Sequence, residues 1–325
     1  MIVTVTPNPS IDRTLALPSP LTRGAVHRVT SVTSQAGGKG VNVARALQLA
    51  GLETVAVLPA CNNDPLINAL QSAGVPHRIV PTAEPARTNL TVTEPDGTTT
   101  KLNEPGAQLD AASVRSLTDT VLQAAAGATW VVLSGSLPPG VPSNWYADIV
   151  SALAGQRCQV AVDTSDAPLD ALVASLNRGA PDLIKPNAEE LAGALGYSPE
   201  SLDHAAAQGD PEPVVSAARQ LIDRGVGAVL ATLGAAGAVL VDRNGAWLAT
   251  PPPIVPRSTV GAGDSSLAGY VRAEVGGAAP AQRLQMAVAY GSAAAALPGT
   301  TLPSPPQIDL NTVQVYPISP IPASR

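Results

Sequence analysis

The feature that most constrains this chain is its rhythm. Short, nearly continuous apolar runs alternate with alanine- and leucine-rich amphipathic stretches. The runs are "IVTVT" (2–6), "TVAVL" (54–58), "WVVLSG" (130–135), "QVAVD" (159–163), "DLIK" (182–185) and "GAVLATL" (227–233). Between them lie "GVNVARALQLAG", "VRSLTDTVLQAA", "NAEELAGAL" and "PVVSAARQLIDRG", each with helical periodicity. Strands apolar on both faces must be covered on both faces. The pattern predicts an α/β fold, a mainly parallel sheet between helical layers.

Two segments break the rhythm. Residues 11–35 and 87–103 are rich in threonine and valine, and the second carries a Pro-Asp-Gly turn signal at 95–97. They are expected to form a small antiparallel flap on a core made of 1–10, 36–86 and 104–301. The proline-rich tail, 302–325, is expected to dock loosely, if at all.

Composition excludes several function classes. Net charge is -6, yet five of the 19 basic residues and only one of the 25 acids lie in the first 45 positions. A basic amino-terminal segment on an acidic chain suits a small anion, not a nucleic acid, which needs a broad basic face. Two cysteines, Cys61 and Cys158, are too few for a disulfide framework or a zinc site. The uncharged run 225–241 is broken by glycine and reads as strand–turn–strand, not as a membrane helix. Met1 leads straight into a strand pattern with no basic leader, so a cytoplasmic location is expected.

The chemistry gathers in glycine-rich stretches. In "STVGAGDSSLAG" (258–269) the periodicity predicts a helix starting at Asp264 or Ser265, with Gly261, Ala262 and Gly263 just ahead of it. Small residues there let amides approach an anion, and the helix dipole adds positive potential. Asp264 fits either a helix cap or a catalytic acid. "AGGKGVNVARAL" (36–47) pairs glycines with Lys39, one of only three lysines. Lysine binds phosphate as a compact point charge. In "DLIKPNAEEL" (182–191), Asn187 and Glu190 share a helix face and suit water-mediated Mg²⁺, although a plain capping arrangement fits equally well. "SGSLPPG" (134–140) and "ATLGAAG" (231–237) follow apolar strands at the edge where parallel sheets bind ligands. Neither a dinucleotide fingerprint nor a Gly-Lys-Ser/Thr phosphate loop is present.

In this order the stretches resemble the PfkB carbohydrate kinases, relatives of ribokinase. "GGKGVNVARA" is similar to that family's amino-terminal signature and "STVGAGDSSLAGYV" to its carboxyl-terminal one. "TVTPNPSIDRT", "RTNLTVTE", "LNEPG" and "VVLSGSLPPG" resemble the branch acting on fructose 1-phosphate. The resemblance implies a ribokinase-like three-layer α/β/α sandwich with a β-sheet lid, often used for dimerisation. It implies Asp264 as base and Gly261, Ala262 and Gly263 as anion hole. Asp12, Gly38, Lys39, Asn42, Arg87, Asn89 and Ser136 match sugar-phosphate positions, with Lys39 and Arg87 expected on the phosphate already carried by the sugar. Lys185, Asn187, Thr232, Gly234, Gly237 and Ser292 match ATP positions, and Glu190 the magnesium-associated acid. Ser258, Val260, Ala294 and Gly299 match positions around a monovalent cation, K⁺, mainly through backbone oxygens. The related minor 6-phosphofructokinases carry an extra glycine in place of Lys39 and a lysine where this chain has Ala25. Tagatose-6-phosphate kinases share the lysine and remain the alternative. A non-catalytic sugar-phosphate sensor is the reading from another class, and retention of Asp264 with its glycines speaks against it.

Overall fold

The computed structural model describes residues 1–318. Its strands are β1 (Ile2–Val5), β2 (Ser10–Ala16), β3 (Ser31–Gly37), β4 (Thr54–Ala60), β5 (His77–Pro81), β6 (Arg87–Thr93) and β7 (Thr99–Asn103). They continue with β8 (Trp130–Ser134), β9 (Gln159–Asp163), β10 (Leu183–Ile184), β11 (Ala228–Thr232), β12 (Ala238–Asp242), β13 (Gly245–Thr250) and β14 (Gln314–Ile318).

Ten strands form one sheet in the order β14-β13-β12-β11-β10-β9-β8-β1-β4-β5. From β11 to β5 every neighbour is parallel, while β12, β13 and β14 extend one edge antiparallel. Alternation along β8 shows why both faces are covered. Val131 and Leu133 pack with Leu117, Val121, Trp145, Ile149 and Leu221 of the helices on one side. Trp130 and Val132 pack with Val43, Leu47, Leu267, Val271 and Leu284 of the helices on the other. The result is a three-layer α/β/α sandwich, and the carboxyl ends of its central strands (Ser134, Asp163, Ile184 and Thr232) open on one edge.

The second sheet, in the order β3-β2-β6-β7, takes its strands from the two threonine- and valine-rich segments. Asp96 and Gly97 turn the β6–β7 hairpin: Gly97 has φ 90° and Asp96 accepts from Thr98 N–H at 2.9 Å. β2 and β6 are parallel, with Asp12 opposite Asn89. β3 runs directly into the helix Lys39–Leu49, which ties this small sheet to the core.

The tail departs from expectation. Leu302 and Val313 are 6% and 3% exposed in the core, Gln285 Nε2 donates to Leu310 O at 2.9 Å, and β14 pairs along β13. Pro305 and Pro306 form a short 3-10 turn, Pro317 lies within β14, and apolar residues of the segment cover what would otherwise be an open sheet edge. Residues 319–325 of the expected tail lie outside the described residues.

Deleting everything after Thr301 should therefore destabilise the core, not trim a loose end. Loss of two buried side chains at about 1.5–3 kcal/mol each predicts a fall of roughly 3–6 kcal/mol, read as a lower thermal midpoint by circular dichroism. An unchanged midpoint would refute the docking.

Candidate active site

Asp163 closes β9 with a side chain that is 0% exposed. One oxygen, Oδ1, accepts from Lys39 Nζ at 3.0 Å and lies 3.3 Å from Lys185 Nζ. Burial alone would push this carboxyl up, but Lys185 and Lys39 outweigh it and hold the group below the usual carboxylate range. Asp163 in turn raises Lys39 above the ordinary lysine value. Lys185 follows β10, the strand beside β9, so adjacent parallel strands deliver the two partners at one level. Nothing in "QVAVD" marked Asp163 beyond its place as the one acid ending an apolar strand. Sequence reasoning missed it.

Asp264 meets the same charges from another element. Gly261, in the left-handed region at φ 77°, is the N-cap, and the helix runs Ala262–Val275. It starts two residues earlier than the periodicity predicts, because Gly261 supplies the turn and Ala262 and Gly263 belong to the first helical turn. Asp264 is therefore the third helical residue, and the cap position is taken by Gly261. Ser265 N–H bonds to Gly261 O at 2.8 Å, so the amides before it are left without intrahelical acceptors. A Cβ on Gly263 would stand 3.3 Å from Lys185 Nζ, which puts that lysine against the helix start. Asn42 Nδ2, from the helix Lys39–Leu49, donates to Asp264 Oδ2 at 2.9 Å. Burial, and then the charge of Asp163, pushes the Asp264 carboxyl up to about 6 against the pull of Lys39, Asn42 and Lys185.

The small sheet supplies a polar cluster beside these groups. Asp12 Oδ1 accepts from Ser10 Oγ at 2.7 Å and from Asn89 Nδ2 at 3.1 Å. Gly37 lies so close to the Asp12 carboxylate that any Cβ there would overlap it. Gly38, at φ 105°, lets the chain pass Thr6, whose Cγ2 would lie 2.6 Å from an added Cβ. Asn8 Nδ2 donates to Ser136 Oγ at 3.2 Å, and Arg87 Nη1 to Glu104 O at 3.0 Å. Asn8 and Ser10, inside the stretch "TVTPNPSIDRT", are further residues that the sequence reading did not single out individually. Lys39 was expected on the sugar's own phosphate. Its ammonium donates to Asp163, near the charge of Asp264 and sharing Asp163 with Lys185, a bond that occupies one of its three N–H donors.

The remaining residues lie along the next strand ends. Asn187 bridges to Thr232. With Glu189, Gly234, Asp203 and neighbours they line an open cleft of about 670 Å³. Gly237, at φ 105°, is packed too tightly on Ala249 O for any side chain. Ser292 is not among the residues lining the cleft; it follows Gly291, which packs on Ala262 O. Asn187 and Glu190 form a reciprocal capping box, at 2.7 Å and 2.8 Å, so both suspected metal residues first serve the helix Ala188–Ala194. Among the described residues no three His, Cys, Asp or Glu side chains are grouped to cage a metal. The donors present suit an ion bound chiefly by phosphates and water, as Mg²⁺ is, with one or two carboxylates. Hydrogen bonds of Arg257 N and Ser258 N to Ala295 O, at 2.8 and 3.2 Å, bring Ser258 to the carboxyl end of the helix Pro280–Ala295, next to Ala294.

The sequence profile described as pfkB family carbohydrate kinase matches residues 5–307. The chain belongs to this family. It is therefore a phosphotransferase with an alcohol group as acceptor. It is 36% identical to a 1-phosphofructokinase of Xanthomonas campestris over 83% of each chain. It is 35% identical to a 1-phosphofructokinase of Rhodobacter capsulatus, covering 98% of this chain and 99% of that one. It is 34% identical to ATP-dependent 6-phosphofructokinase isozyme 2 of Escherichia coli, covering 93% and 94%. The crystal structure of Escherichia coli phosphofructokinase-2 with substrates and products superposes with a TM-score of 0.85 at 33% identity, covering 94% and 96%. That of the same enzyme in complex with potassium gives 0.85 at 32% identity, with the same coverage. The three-layer sandwich is thus that of the family.

The Asp264 environment sets a pH dependence whose sign can be stated. A buried carboxyl raised to about 6 is protonated below that value, so kcat/KM should fall tenfold per pH unit on the acid side of about 6. Its contribution to stability is fully present below the unfolded value and is lost as pH rises through about 6. At neutral pH the ionised group then costs the fold about 3 kcal/mol at most. Asp264→Asn should lower turnover at least about 10²-fold while the thermal midpoint at pH 7 holds or rises. Retention of more than about a tenth of turnover would end the base assignment.

Proposed function

We propose that this chain transfers the γ-phosphoryl group of ATP to fructose 1-phosphate, giving fructose 1,6-bisphosphate and ADP. The observation that carries the reading is a set of buried polar atoms with no protein partner. Asn42 Oδ1, Arg87 Nε, Asn89 Oδ1 and Asp163 Oδ2 belong to residues gathered around Asp264, Lys39 and the lid strands β2 and β6. Buried polar groups are seldom left unpaired, and a polyhydroxylated anion could satisfy all four: hydroxyls donate to the two amide oxygens and the carboxylate, and its charge accepts from the guanidinium N–H.

In this reading Asp12 and Asn89 hold sugar hydroxyls, with Gly38, Asn42 and Ser136 around them. Arg87 meets the sugar's phosphate, and Lys39 retains two donors beyond Asp163 for phosphate oxygens. Asp264 removes the proton of the attacking hydroxyl. The new P–O bond forms as the bond to the bridging oxygen of ADP breaks. The amides of Gly261, Ala262 and Gly263, with Lys185, face the negative oxygens in transit; one well-aimed donor of this kind supplies about 3 kcal/mol. ATP lies along Asn187, Thr232 and Gly234, with Gly237 shaping the turn and Ser292 on the neighbouring helix. Glu190 and Asn187 would take Mg²⁺ through water, which supplies charge neutralisation on the phosphates. Ser258, Val260, Ala294 and Gly299 would hold K⁺ by backbone oxygens, in keeping with the potassium complex of the Escherichia coli enzyme.

The branch assignment rests on the 1-phosphofructokinase relatives together with Lys39 in its glycine loop. The 6-phosphofructokinase reading, from a relative 34% identical, fits less well. A coupled assay with Mg²⁺-ATP, with and without K⁺, should give the highest kcat/KM on fructose 1-phosphate. Fructose 6-phosphate or tagatose 6-phosphate at the head of the panel would overturn the branch but leave the kinase.

We further propose a cytoplasmic enzyme whose lid sheet pairs with a second copy. Val32 and Leu102 are 44% and 58% exposed on lid strands β3 and β7. None of the described helices is long and apolar enough to cross a membrane. Sedimentation at micromolar concentration should show a dimer, and a strict monomer would reject the pairing.

A further inference from the structure

Strand β6 enters the lid with one edge unpaired. Backbone N–H groups alternate in direction along a strand, so those of Ala86 and Thr88 point the same way. That way is toward β7, because Glu94 N–H, of the same parity, bonds to Thr98 O at 2.9 Å. β7, however, ends at Asn103, opposite Asn89. Two carboxylates take the place of the missing strand. Ala86 N–H bonds to Asp64 Oδ2 at 2.7 Å, and Thr88 N–H to Glu104 Oε2 at 2.8 Å. Between these two anchored amides sits Arg87.

Glu104 holds Arg87 twice. Its side chain fixes the residue that follows, and its backbone oxygen accepts from Arg87 Nη1 at 3.0 Å. Asp64 fixes the residue before, and it is itself fixed. Only 1% exposed, it also accepts from Leu66 N–H at 2.9 Å as the cap of the helix Pro65–Ser72. Arg87 therefore has little freedom to swing, and its Nε remains buried without a partner. Its guanidinium pays for burial, which lowers its pKa, and the charges of Asp12 and Glu104 act against that.

We propose that Glu104, in the "LNEPG" stretch, is the positioning residue that aims Arg87 at the acceptor substrate, completing with Asp64 the acceptor edge that β7 does not reach. The inference rests on Arg87 serving the sugar-phosphate end, as argued above. Glu104 is exposed, so its replacement is compatible with folding, whereas Asp64→Ala would also uncap a helix.

Initial rates would be measured with fructose 1-phosphate and ATP varied in turn, for wild type, Glu104→Gln, Glu104→Ala, Arg87→Ala and the double variant Glu104→Ala/Arg87→Ala. Glu104→Ala should raise KM for the sugar phosphate about five- to tenfold, the scale of one ordinary net hydrogen bond, and leave KM for ATP unchanged. Glu104→Gln keeps an oxygen for Thr88 N–H and should return KM to within about twofold of wild type. Because Glu104 acts through Arg87, the double variant should be no worse than Arg87→Ala alone. Full additivity, an equal rise in both substrates' KM, or a glutamine variant as poor as the alanine would each overturn the proposal. If Arg87→Ala itself left the sugar-phosphate KM unchanged, the underlying substrate reading would be the one at fault.

Discussion

The site depends on one ion cluster, the fully buried Asp163 with the buried Lys185 and the partly exposed Lys39. A carboxylate wholly removed from water is costly, with an effective penalty of several kcal/mol per ion, and it stays charged only if attraction repays this. Two ammonium groups on one oxygen do so here, and they leave a surplus positive charge beside the start of the helix Ala262–Val275. Asp264 then enters the same pocket and brings the four groups close to neutrality. The balance matters for a site of this class. Both ammonium groups lie on Asp163, while the hydrogen bond that Asp264 accepts comes from the neutral Asn42 amide.

Such a cluster cannot be held by loops alone. Asp163 and the residue before Lys185 end neighbouring parallel strands, and Lys39 opens a helix that passes close to β1. That passage depends on glycine. At Gly40 an added Cβ would lie 2.7 Å from Val5 O, and at Gly38 it would meet Thr6. The close approach carries Asn42 to Asp264, so the amino-terminal and carboxyl-terminal glycine stretches, more than 200 residues apart, meet through one 2.9 Å hydrogen bond. The β3 strand ends at Gly37, and through it the second sheet joins the glycine stretch that carries Lys39 and Asn42.

What was legible in the sequence was what local chemistry dictates. Apolar runs became the parallel strands, threonine-rich alternation became the second sheet, and the glycine stretch around Asp264 became a helix start. Where local signals were silent, the residue's meaning came from sheet order. Asp163 reads as an ordinary strand end until β10 is placed next to β9, and Glu104 as a loop acid until β7 proves one residue too short to cover Thr88. The tail misled for a related reason. Its prolines are conspicuous locally, whereas the open edge of β13 that Gln314–Ile318 fills is visible only once the sheet is assembled. Gly261 is the instructive intermediate case. Its left-handed φ places the helix start two residues earlier, and that shift takes Asp264 out of the cap position.

The two buried carboxylates also divide their roles through their surroundings. Asp163 is held below the ordinary range by cations in contact, so around neutrality it keeps its charge and has no proton to exchange. Asp264 is pushed up to about 6 by burial and by the charge of Asp163, with one neutral amide as its hydrogen-bond donor. Opposed shifts of this kind separate a fixed charge from a proton acceptor. Asp163 contributes on both sides of that division, holding the lysines while raising the basicity of Asp264. Replacing it would therefore alter the cations and the Asp264 carboxyl together, although Asp163 has no sequence signal of its own and Asp264 has a strong one.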